Sequence, residues 1–393
     1  MQHITPPALL LALSLASPAL AGDGAKAEFK SLLMESAASH SSFRIADENG
    51  ASLDITGYLL TRYLVGRSSG FGDKDYIVGF DQPRVRLGAK GEINDTFGFK
   101  MIVDYAGGGA ALTDGYATIK LDDGMTLRTG QFTLPYTREQ DVSSSRQTAV
   151  ERSVANSFFT GDRSQGVMLE VKKDDWRWRG SLSDGFKSTN SEYLATNDAD
   201  VAFTTRYEYL VDGKWSQFKD HEGWRGGERG LMLGGAMHYQ STGNTAALSG
   251  STPTTTSLDD VLAFTLDASA EFSGASALAA FYYQSRETSS GDFTDMGFVL
   301  QGGVMVADQT EVFARWDSIL SDSDRTANDD VHVITAGLNY FFVPESHALK
   351  FTLDVQHVLS DLNSGPVGTS SKRTIVASDD AQTALRAQFV LIF

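Results

Sequence analysis

The sequence lacks cysteine altogether, which excludes disulfides, thiolate metal sites and cysteine nucleophiles. Proline is scarce, with 8 residues among 393, whereas there are 38 Gly, 5 Trp, 13 Tyr and 23 Phe. No segment approaches the run of about 20 apolar residues that a membrane-spanning helix requires. The net charge of -17 argues against a nucleic-acid partner. What remains is a chain suited to many strands joined by tight turns.

Signals for catalysis or for a bound cofactor are also lacking. The 7 His show no metal-binding spacing such as H-x-x-x-H, and no G-x-S-x-G motif occurs. The glycines at 107–109 and 226–227 are not followed by a helical pattern, so they are interpreted as loop glycines and not as phosphate cradles. The sequence therefore predicts neither an enzyme nor a cofactor or metal site.

The N-terminal segment is typical of an exported protein. Residues 8–15 form a short apolar core, and Ala19-Leu20-Ala21 gives the small-x-small pattern of a signal-peptidase site. We therefore expect residues 1–21 to be a signal peptide. Residues 22–50 are expected to form a short periplasmic arm or helix, with Phe29, Leu32 and Leu33 on one face, and residues 51–393 to form the main domain.

The last eleven residues, 383–393, alternate strictly. Leu385, Phe389 and the terminal Phe393 fall on one face, and Arg386 and Gln388 on the other. One face suits lipid and the other suits water, and an aromatic residue at the end suits the membrane interface. The pattern indicates the closing strand of an outer-membrane barrel, although an edge strand of a soluble sandwich would show the same alternation.

The same period of two recurs along the chain and decides between these alternatives. Short polar turns alternate with longer polar loops, as expected of a barrel inserted from the periplasm. One connection, residues 212–228, should be a short turn but is about 17 residues long. The sequence predicts an all-β, sixteen-stranded antiparallel transmembrane β-barrel in the outer membrane of a Gram-negative-type envelope. We count about sixteen strands, at residues 53–59, 84–90, 97–105, 116–121, 126–134, 167–171, 176–183, 201–211, 231–239, 262–272, 275–285, 298–306, 312–317, 331–341, 349–357 and 383–393.

The third loop, residues 135–163, is too long for a hairpin connection. Loops of more than about 12 to 15 residues are usually functional, and a barrel of this width has a water-filled lumen unless something folds into it. We expect this loop to fold inward and to narrow the pore. It carries four arginines as candidate solute-binding residues, Arg138, Arg146, Arg152 and Arg163.

Sorting the strand residues by face indicates a basic lumen wall. Roughly fourteen cations against nine acids lie opposite the apolar stripe, among them Arg84, Arg86 and Arg128 as candidate facing charges. Rings of Arg and Lys favour anions in pores. The other interpretation is that these cations only neutralise acids of the lumen.

Several sequence blocks resemble the phosphate-selective porin O/P family. They are Gly130-Gln131-Phe132 with Pro135 and Glu139, then Glu151-Arg152-Ser153, Phe158-Phe159, Arg163 and Gly166, and later residues 337–342, 349–350 and 385–393. The resemblance implies a trimeric outer-membrane porin whose third loop constricts the pore with anion-binding arginines. The family's pore mouths are rich in Lys, whereas the long loops of this chain are acidic, for example at Glu192, Asp259, Asp329 and Asp379.

We therefore predict an outer-membrane porin for passive diffusion of small hydrophilic solutes, with a preference for anions such as phosphate. Arg138 and Arg146 are the better candidates for solute contact, and Arg152, directly after Glu151, is expected to be structural. The expected partners are solutes or anions, outer-membrane lipid and two further copies in a homotrimer. The alternatives are a general or cation-tolerant pore, or a structural or adhesive barrel plugged by its loops.

Overall fold

The computed structural model describes residues 43–48, 50–68, 76–191, 198–241, 260–288, 291–324, 330–360 and 381–393. The predicted signal peptide and residues 22–42 of the predicted arm or helix lie outside the described residues, as do several acids of the long loops. In the described residues, no helix has both the length and the apolar character needed to cross a membrane.

The main domain is a closed β-barrel of sixteen antiparallel strands, β2 to β17, in which β17 pairs back onto β2. A short additional strand, β1, pairs with the start of β2. All sixteen segments predicted from alternation coincide with strands, and the predicted fold class is confirmed. The strands are β1 (Phe43–Ala46), β2 (Ser52–Arg67), β3 (Tyr76–Glu92), β4 (Phe97–Asp104), β5 (Ala111–Asp122), β6 (Met125–Thr133), β7 (Arg163–Lys172), β8 (Trp176–Ser183), β9 (Val201–Asp212), β10 (Gly230–Ser241), β11 (Asp260–Phe272), β12 (Ala275–Thr288), β13 (Gly291–Ala307), β14 (Thr310–Leu320), β15 (Val331–Phe341), β16 (Leu349–Val358) and β17 (Gln382–Ile392).

The seam between β17 and β2 is closed up to the last residue. Leu385 lies opposite Val65, and Leu391 lies opposite Leu59. The Phe393 amide donates to the Gly57 carbonyl at 3.0 Å, and the Gly57 amide donates to the Phe393 carbonyl at 2.7 Å. The terminal residue therefore completes the ladder, and no edge of the barrel is open at this point.

Alternation sets the two faces of the barrel wall as predicted. In β17 the odd-numbered side chains point outward, so Leu391 is 44% exposed, whereas Arg386 and Gln388 point inward and are buried. The outward face is apolar on the other strands too, with Met101, Leu266, Leu300 and Val312 all exposed. This apolar surface is what contact with lipid requires.

The connections differ between the two ends of the barrel. At one end, which we call the turn end, strands are joined by short turns such as residues 93–96, 123–124 and 273–274. The exception is the long turn, residues 213–229, which folds back into the barrel. Its Phe218 packs against Leu210 and Met232, and its Glu222 is wholly buried. The opposite end, called the loop end, carries most of the longer connections.

The third loop, residues 134–162 in the structure, contacts lumen-facing side chains. It contains two short helices, α1 (Arg138–Asp141) and α2 (Val154–Phe159). Asp317 on β14 accepts from the amides of Val154 and Ala155 at 2.8 and 3.1 Å, which satisfies the start of α2. Apolar side chains of α2 join those of β12 to β16 in one buried cluster, with Phe159 stacked on Tyr282. These contacts fix α2 to one side of the lumen.

If side chains alternate between lipid and lumen, the same substitution at two neighbouring residues should change the free energy of unfolding by different amounts. Met101→Arg places a charge on the outward face and should cost about 2–4 kcal/mol near the membrane midplane. Ile102→Arg, one residue later on the face that lines the lumen, should cost much less. Unfolding in lipid vesicles measures both free energies, and equal costs would contradict the assignment.

Gly297 on β13 allows α2 to lie close to the wall. A Cβ at this position would lie 2.4 Å from the Phe159 ring. Gly297→Ala should therefore displace the ring, destabilise the barrel by about 1–3 kcal/mol and alter single-channel conductance. The control is Gly302→Ala on the outward face, where the nearest atom would be 3.5 Å from the new Cβ. If the two variants have the same stability and conductance, the position of α2 does not depend on the close approach of Phe159 to Gly297.

Candidate functional site

Glu151 is the central anchor of the third loop. It is buried and accepts from Arg62 Nη2 at 2.5 Å and from Arg84 Nη1 and Nη2 at 2.8 and 2.9 Å. Its carbonyl accepts from Arg315 Nη1 at 2.9 Å. Burial alone would raise the pKa of Glu151, but Arg84 and Arg62 outweigh it and hold this pKa well below its usual range. The carboxylate is therefore charged and joins the loop to strands β2 and β3, while the carbonyl joins it to β14.

Neighbouring residues of the loop are bound to the same part of the wall. The Val150 amide donates to Asp354 at 2.9 Å, and Asp354 forms a two-point ion pair with Arg386 at 2.7 and 2.8 Å. Lys350 Nζ donates to the Gln147 carbonyl at 2.5 Å. The loop thus lies against strands β14 to β17, where lumen-facing polar groups become buried beneath it.

A second ion-pair cluster holds the start of the loop. Asp141 accepts from Arg179 Nη1 at 3.1 Å, and Arg206 Nε lies 3.6 Å from it. Arg206 also forms a two-point pair with Asp267 at 2.8 and 2.9 Å and donates to the Tyr136 carbonyl at 3.0 Å. In this part of the lumen the wall cations neutralise acids. This was the alternative interpretation of the basic wall given by the sequence.

The lumen is open and basic beside strands β2 to β4, β7 and β8. A cavity of about 560 Å³ lies between the third loop, the long turn and strands β2 to β4, β7 and β8. Of the described residues that line it, Asp141 is the only carboxylate, and this group is paired with Arg179. Nine lining residues are cationic: Arg86, Lys90, Lys100, Arg138, Arg146, Lys172, Arg177, Arg179 and Lys219.

The lining cations fall into two groups. In the first group, Arg86 is paired with Asp104 at 2.9 Å, Lys100 with Asp114 at 3.0 Å and Arg177 with Glu208 at 2.5 Å. Arg179, paired with Asp141, and Arg138, hydrogen-bonded to protein groups, also belong to it. The second group has no side-chain hydrogen bond or ion pair within the described part of the chain and comprises Lys90, Arg146, Lys172 and Lys219. These four charges are available to a solute.

Two of the four arginines predicted on the third loop line the cavity. Arg146 does so without a partner among the described residues. Arg138 lines it with part of its side chain, while its guanidinium donates to Ser269 Oγ at 3.1 Å and to the carbonyls of Phe218 and Asp220 at 2.8 and 3.1 Å. Arg138 therefore also joins the third loop to the long turn.

The other two arginines of the loop are half-buried and bonded to other groups of the protein. Arg152 donates to the carbonyls of Glu139 and Val142 at 2.8 and 2.6 Å, which is the structural position expected for it. Arg163 pairs with Asp114 at 2.8 Å and with Asp162 at 3.0 Å. Neither residue lines the basic cavity.

The three candidate wall arginines have different surroundings. Arg86 lines the cavity, with its guanidinium 5.6 Å from the Tyr58 ring centre. Arg84 is occupied by Glu151. Arg128 lies 4.4 Å over the Tyr116 ring and has no ion pair with a described residue. The structure thus brings together Arg86, Arg138 and Arg146 from the predicted set.

Other lining cations were not among the candidate residues. Lys172 and Arg177 lie 5.6 and 5.2 Å from the Trp215 ring, which belongs to the long turn. Alternation alone places Lys172, Arg177 and Arg179 on the lumen face, so the signal for them was present in the sequence. Lys219 lies on the long turn, and no sequence pattern indicated that this turn folds inward.

Comparisons with known proteins agree with this geometry. Residues 62–391 match the family described as phosphate-selective porin O and P. The fold is similar to that of an anion-selective porin from Comamonas acidovorans, with a TM-score of 0.60, 14% identity and coverage of 87% of this chain and 100% of that one. It is also similar to OmpF of Salmonella typhi in complex with daunomycin, with a TM-score of 0.59, 12% identity and coverage of 89% and 100%.

Outer-membrane OmpT of Vibrio cholerae has a TM-score of 0.57 and 13% identity, with coverage of 89% of this chain and 100% of that one. At such identities these likenesses concern the fold. A search of curated proteins found no match. Because the family match extends over most of the chain, including the third loop and the strands that line the basic cavity, this protein belongs to the phosphate-selective porin O and P family and is an outer-membrane porin.

Proposed function

We propose that this porin conducts small hydrophilic anions in preference to cations, through the basic side of its lumen. The observation that carries this proposal is the charge of the 560 Å³ cavity, where nine cations and one paired carboxylate line the passage beside the third loop. Inorganic phosphate belongs to the class of anions that such a surface fits. Arg86, Arg138, Arg146, Lys90 and Lys172 are the proposed solute-contacting residues.

The mechanism is partial exchange of hydration for charge-assisted hydrogen bonds. An anion that passes Arg146 and reaches Lys90, Lys172 and Lys219 would meet cations with no carboxylate partner among the described residues. Several weak contacts in succession allow both entry and release, as conduction requires. Guanidinium and ammonium groups bind phosphate oxygens through short, strong hydrogen bonds.

The protein's overall negative charge does not oppose this preference inside the lumen. The chain carries -17, and described loop-end acids include Asp198, Asp200, Asp322 and Asp330. Exposed charges farther than about 8 Å from a site are largely screened at physiological salt. The local basic surface should therefore decide selectivity. The acidic loop end favours the alternative, a general or cation-tolerant pore, and the same measurement distinguishes the two.

The predicted assembly and processing complete the proposal. Membership of the family supports a homotrimer embedded in outer-membrane lipid, with each chain providing its own pore. We also propose that residues 1–21 are removed on export and that residues 22–50 remain on the periplasmic side as an arm, of which β1 is the described part.

The test is the reversal potential in planar bilayers under a KCl gradient. We expect the unmodified channel to prefer chloride and the triple variant Lys90→Gln, Arg146→Gln, Lys172→Gln to lose most of that preference. The matched control, Lys214→Gln, Arg225→Gln, Arg229→Gln, removes the same number of positive charges from exposed ion pairs at the turn end. It should leave the reversal potential unchanged.

A preference of the unmodified channel for potassium at about 0.15 M salt, unaltered by the lumen substitutions, would support the cation-tolerant alternative. An absence of conductance would support a plugged structural or adhesive barrel.

A further inference from the structure

Three side chains with metal-ligating groups meet at the turn end, and none of the three is among the residues that line the basic cavity. Asp220 and Glu222 belong to the long turn, and His347 belongs to residues 342–348, which connect β15 and β16. His347 Nε2 lies 3.2 Å from Asp220 Oδ2 and 3.3 Å from Glu222 Oε2. One potential ligand atom from each of the three residues lies within 4.8 Å of the other two.

Hydrogen bonding does not account for this arrangement. Glu222 is 0% exposed and the His347 side chain is 5% exposed, yet neither ring nitrogen of His347 forms a hydrogen bond, and Glu222 Oε1 has no hydrogen-bond partner either. Asp220 Oδ2 and Glu222 Oε2 are close enough to Nε2 for hydrogen bonds. They form none, because they lie too far from the direction of a ring N–H bond. A buried polar group without a partner costs about 1–3 kcal/mol, so these groups are expected to have a ligand.

The distances match those within a zinc coordination sphere. Zinc binds histidine nitrogen and carboxylate oxygen at about 2.0–2.2 Å in tetrahedral geometry, which puts neighbouring ligand atoms about 3.3–3.6 Å apart. The distances of 3.2 and 3.3 Å from Nε2 to the two oxygens are close to that range. His347 Nε2 forms no hydrogen bond, so its lone pair could bind a cation. Such a cation would lie between the two carboxylate oxygens and contact both of them.

The surrounding charge favours a divalent cation. Glu271 and Glu311 are buried beside the cluster, and Glu271 Oε1 also lacks a partner. The nearby cations are engaged elsewhere, because Lys350 donates to the Gln147 carbonyl and Arg138 donates to carbonyls of the long turn. A buried carboxyl group is stabilised by protonation, by an ion pair or by a metal ion, and a divalent cation in the cluster would stabilise the ionised form of these groups.

The cluster is oriented and accessible. The ring of Trp224 packs against the edge of the His347 ring at 5.8 Å, and that of Phe341 does so at 5.4 Å, which fixes the imidazole. Asp220 and Trp224 border a cavity of about 300 Å³ at the turn end, and the Asp220 side chain is 13% exposed. A metal ion could enter by this route, and a water molecule from the cavity could complete its coordination.

We propose that Asp220, Glu222 and His347 bind a zinc ion. An imidazole among the ligands favours zinc over magnesium or calcium, which prefer oxygen ligands alone. The ion joins the long turn to the connection between β15 and β16. Because Arg138 donates to the Phe218 and Asp220 carbonyls, the same ion also steadies the contact between the long turn and the third loop.

The experiment is calorimetric titration of the purified full-length porin in detergent, first stripped with EDTA, using zinc chloride and then magnesium chloride. We expect one zinc ion per chain, no comparable magnesium binding, and a rise in Tm on zinc addition. Asp220→Asn and Glu222→Gln should each weaken zinc binding at least tenfold and abolish the rise in Tm. The matched control is His357→Asn, which removes a histidine whose Nδ1 contacts Thr383 away from the cluster.

Zinc binding that is absent, or equally tight in the two carboxylate variants and the unmodified chain, would overturn the assignment. Asp220→Asn keeps the side-chain size at a partly exposed position, so this variant provides the test even if Glu222→Gln fails to fold. The metal titration is independent of ion selectivity, so its failure would leave the proposed anion preference standing.

Discussion

The arrangement of the lumen depends on one electrostatic constraint: a carboxylate buried inside the barrel must be paired. Glu151 satisfies this constraint through Arg62 and Arg84, and its carbonyl binds Arg315. Two consecutive strands, β2 and β3, and the distant strand β14 thereby hold one residue of the third loop. Removing one member of such a buried group leaves uncompensated charge, which costs several kcal/mol, so the position of the loop is strongly determined.

The position of the loop divides the lumen into two regions with different chemistry. Under the loop, Arg206 forms an ion pair with Asp267, and Arg386 forms one with Asp354. On the other side, Lys90, Arg146 and Lys172 line the passage without acidic partners among the described residues. A chain with a net charge of -17 can therefore present a basic surface to a solute, because the one carboxylate among the described residues that line this passage, Asp141, is paired with Arg179.

Much of this fold could be predicted because side chains along a barrel strand alternate between an apolar outward face and a polar inward face. The alternation in residues 383–393 gave the inward and outward faces correctly, and the sixteen periodic segments gave the strands. The pairing of a lumen residue could not be predicted, because alternation gives its face but not its partner. Arg84 was expected to face solute, but its partner Glu151 lies 67 residues away on a loop whose path depends on many such contacts.

The long turn illustrates the same limit. Its length was recognised as exceptional, but nothing local indicated that Phe218 would pack against Leu210 and Met232 or that Glu222 would be buried near His347. Arg152 was expected to be structural because it directly follows an acid; in the structure it donates to the carbonyls of Glu139 and Val142 and not to Glu151. Local sequence thus predicted strands well and three-dimensional clusters poorly.

The most direct measurement of the central constraint is single-channel recording of Glu151→Gln, together with its Tm. Loss of the carboxylate leaves Arg62 and Arg84 buried close together without their shared counter-charge, which should cost about 3–5 kcal/mol. We expect a lower Tm and a conductance that fluctuates between levels, because the third loop loses its anchor. Glu228→Gln, at an exposed turn-end ion pair, should change neither property. A Glu151→Gln channel with the steady conductance and Tm of the unmodified protein would show that the paired Glu151 carboxylate does not hold the third loop.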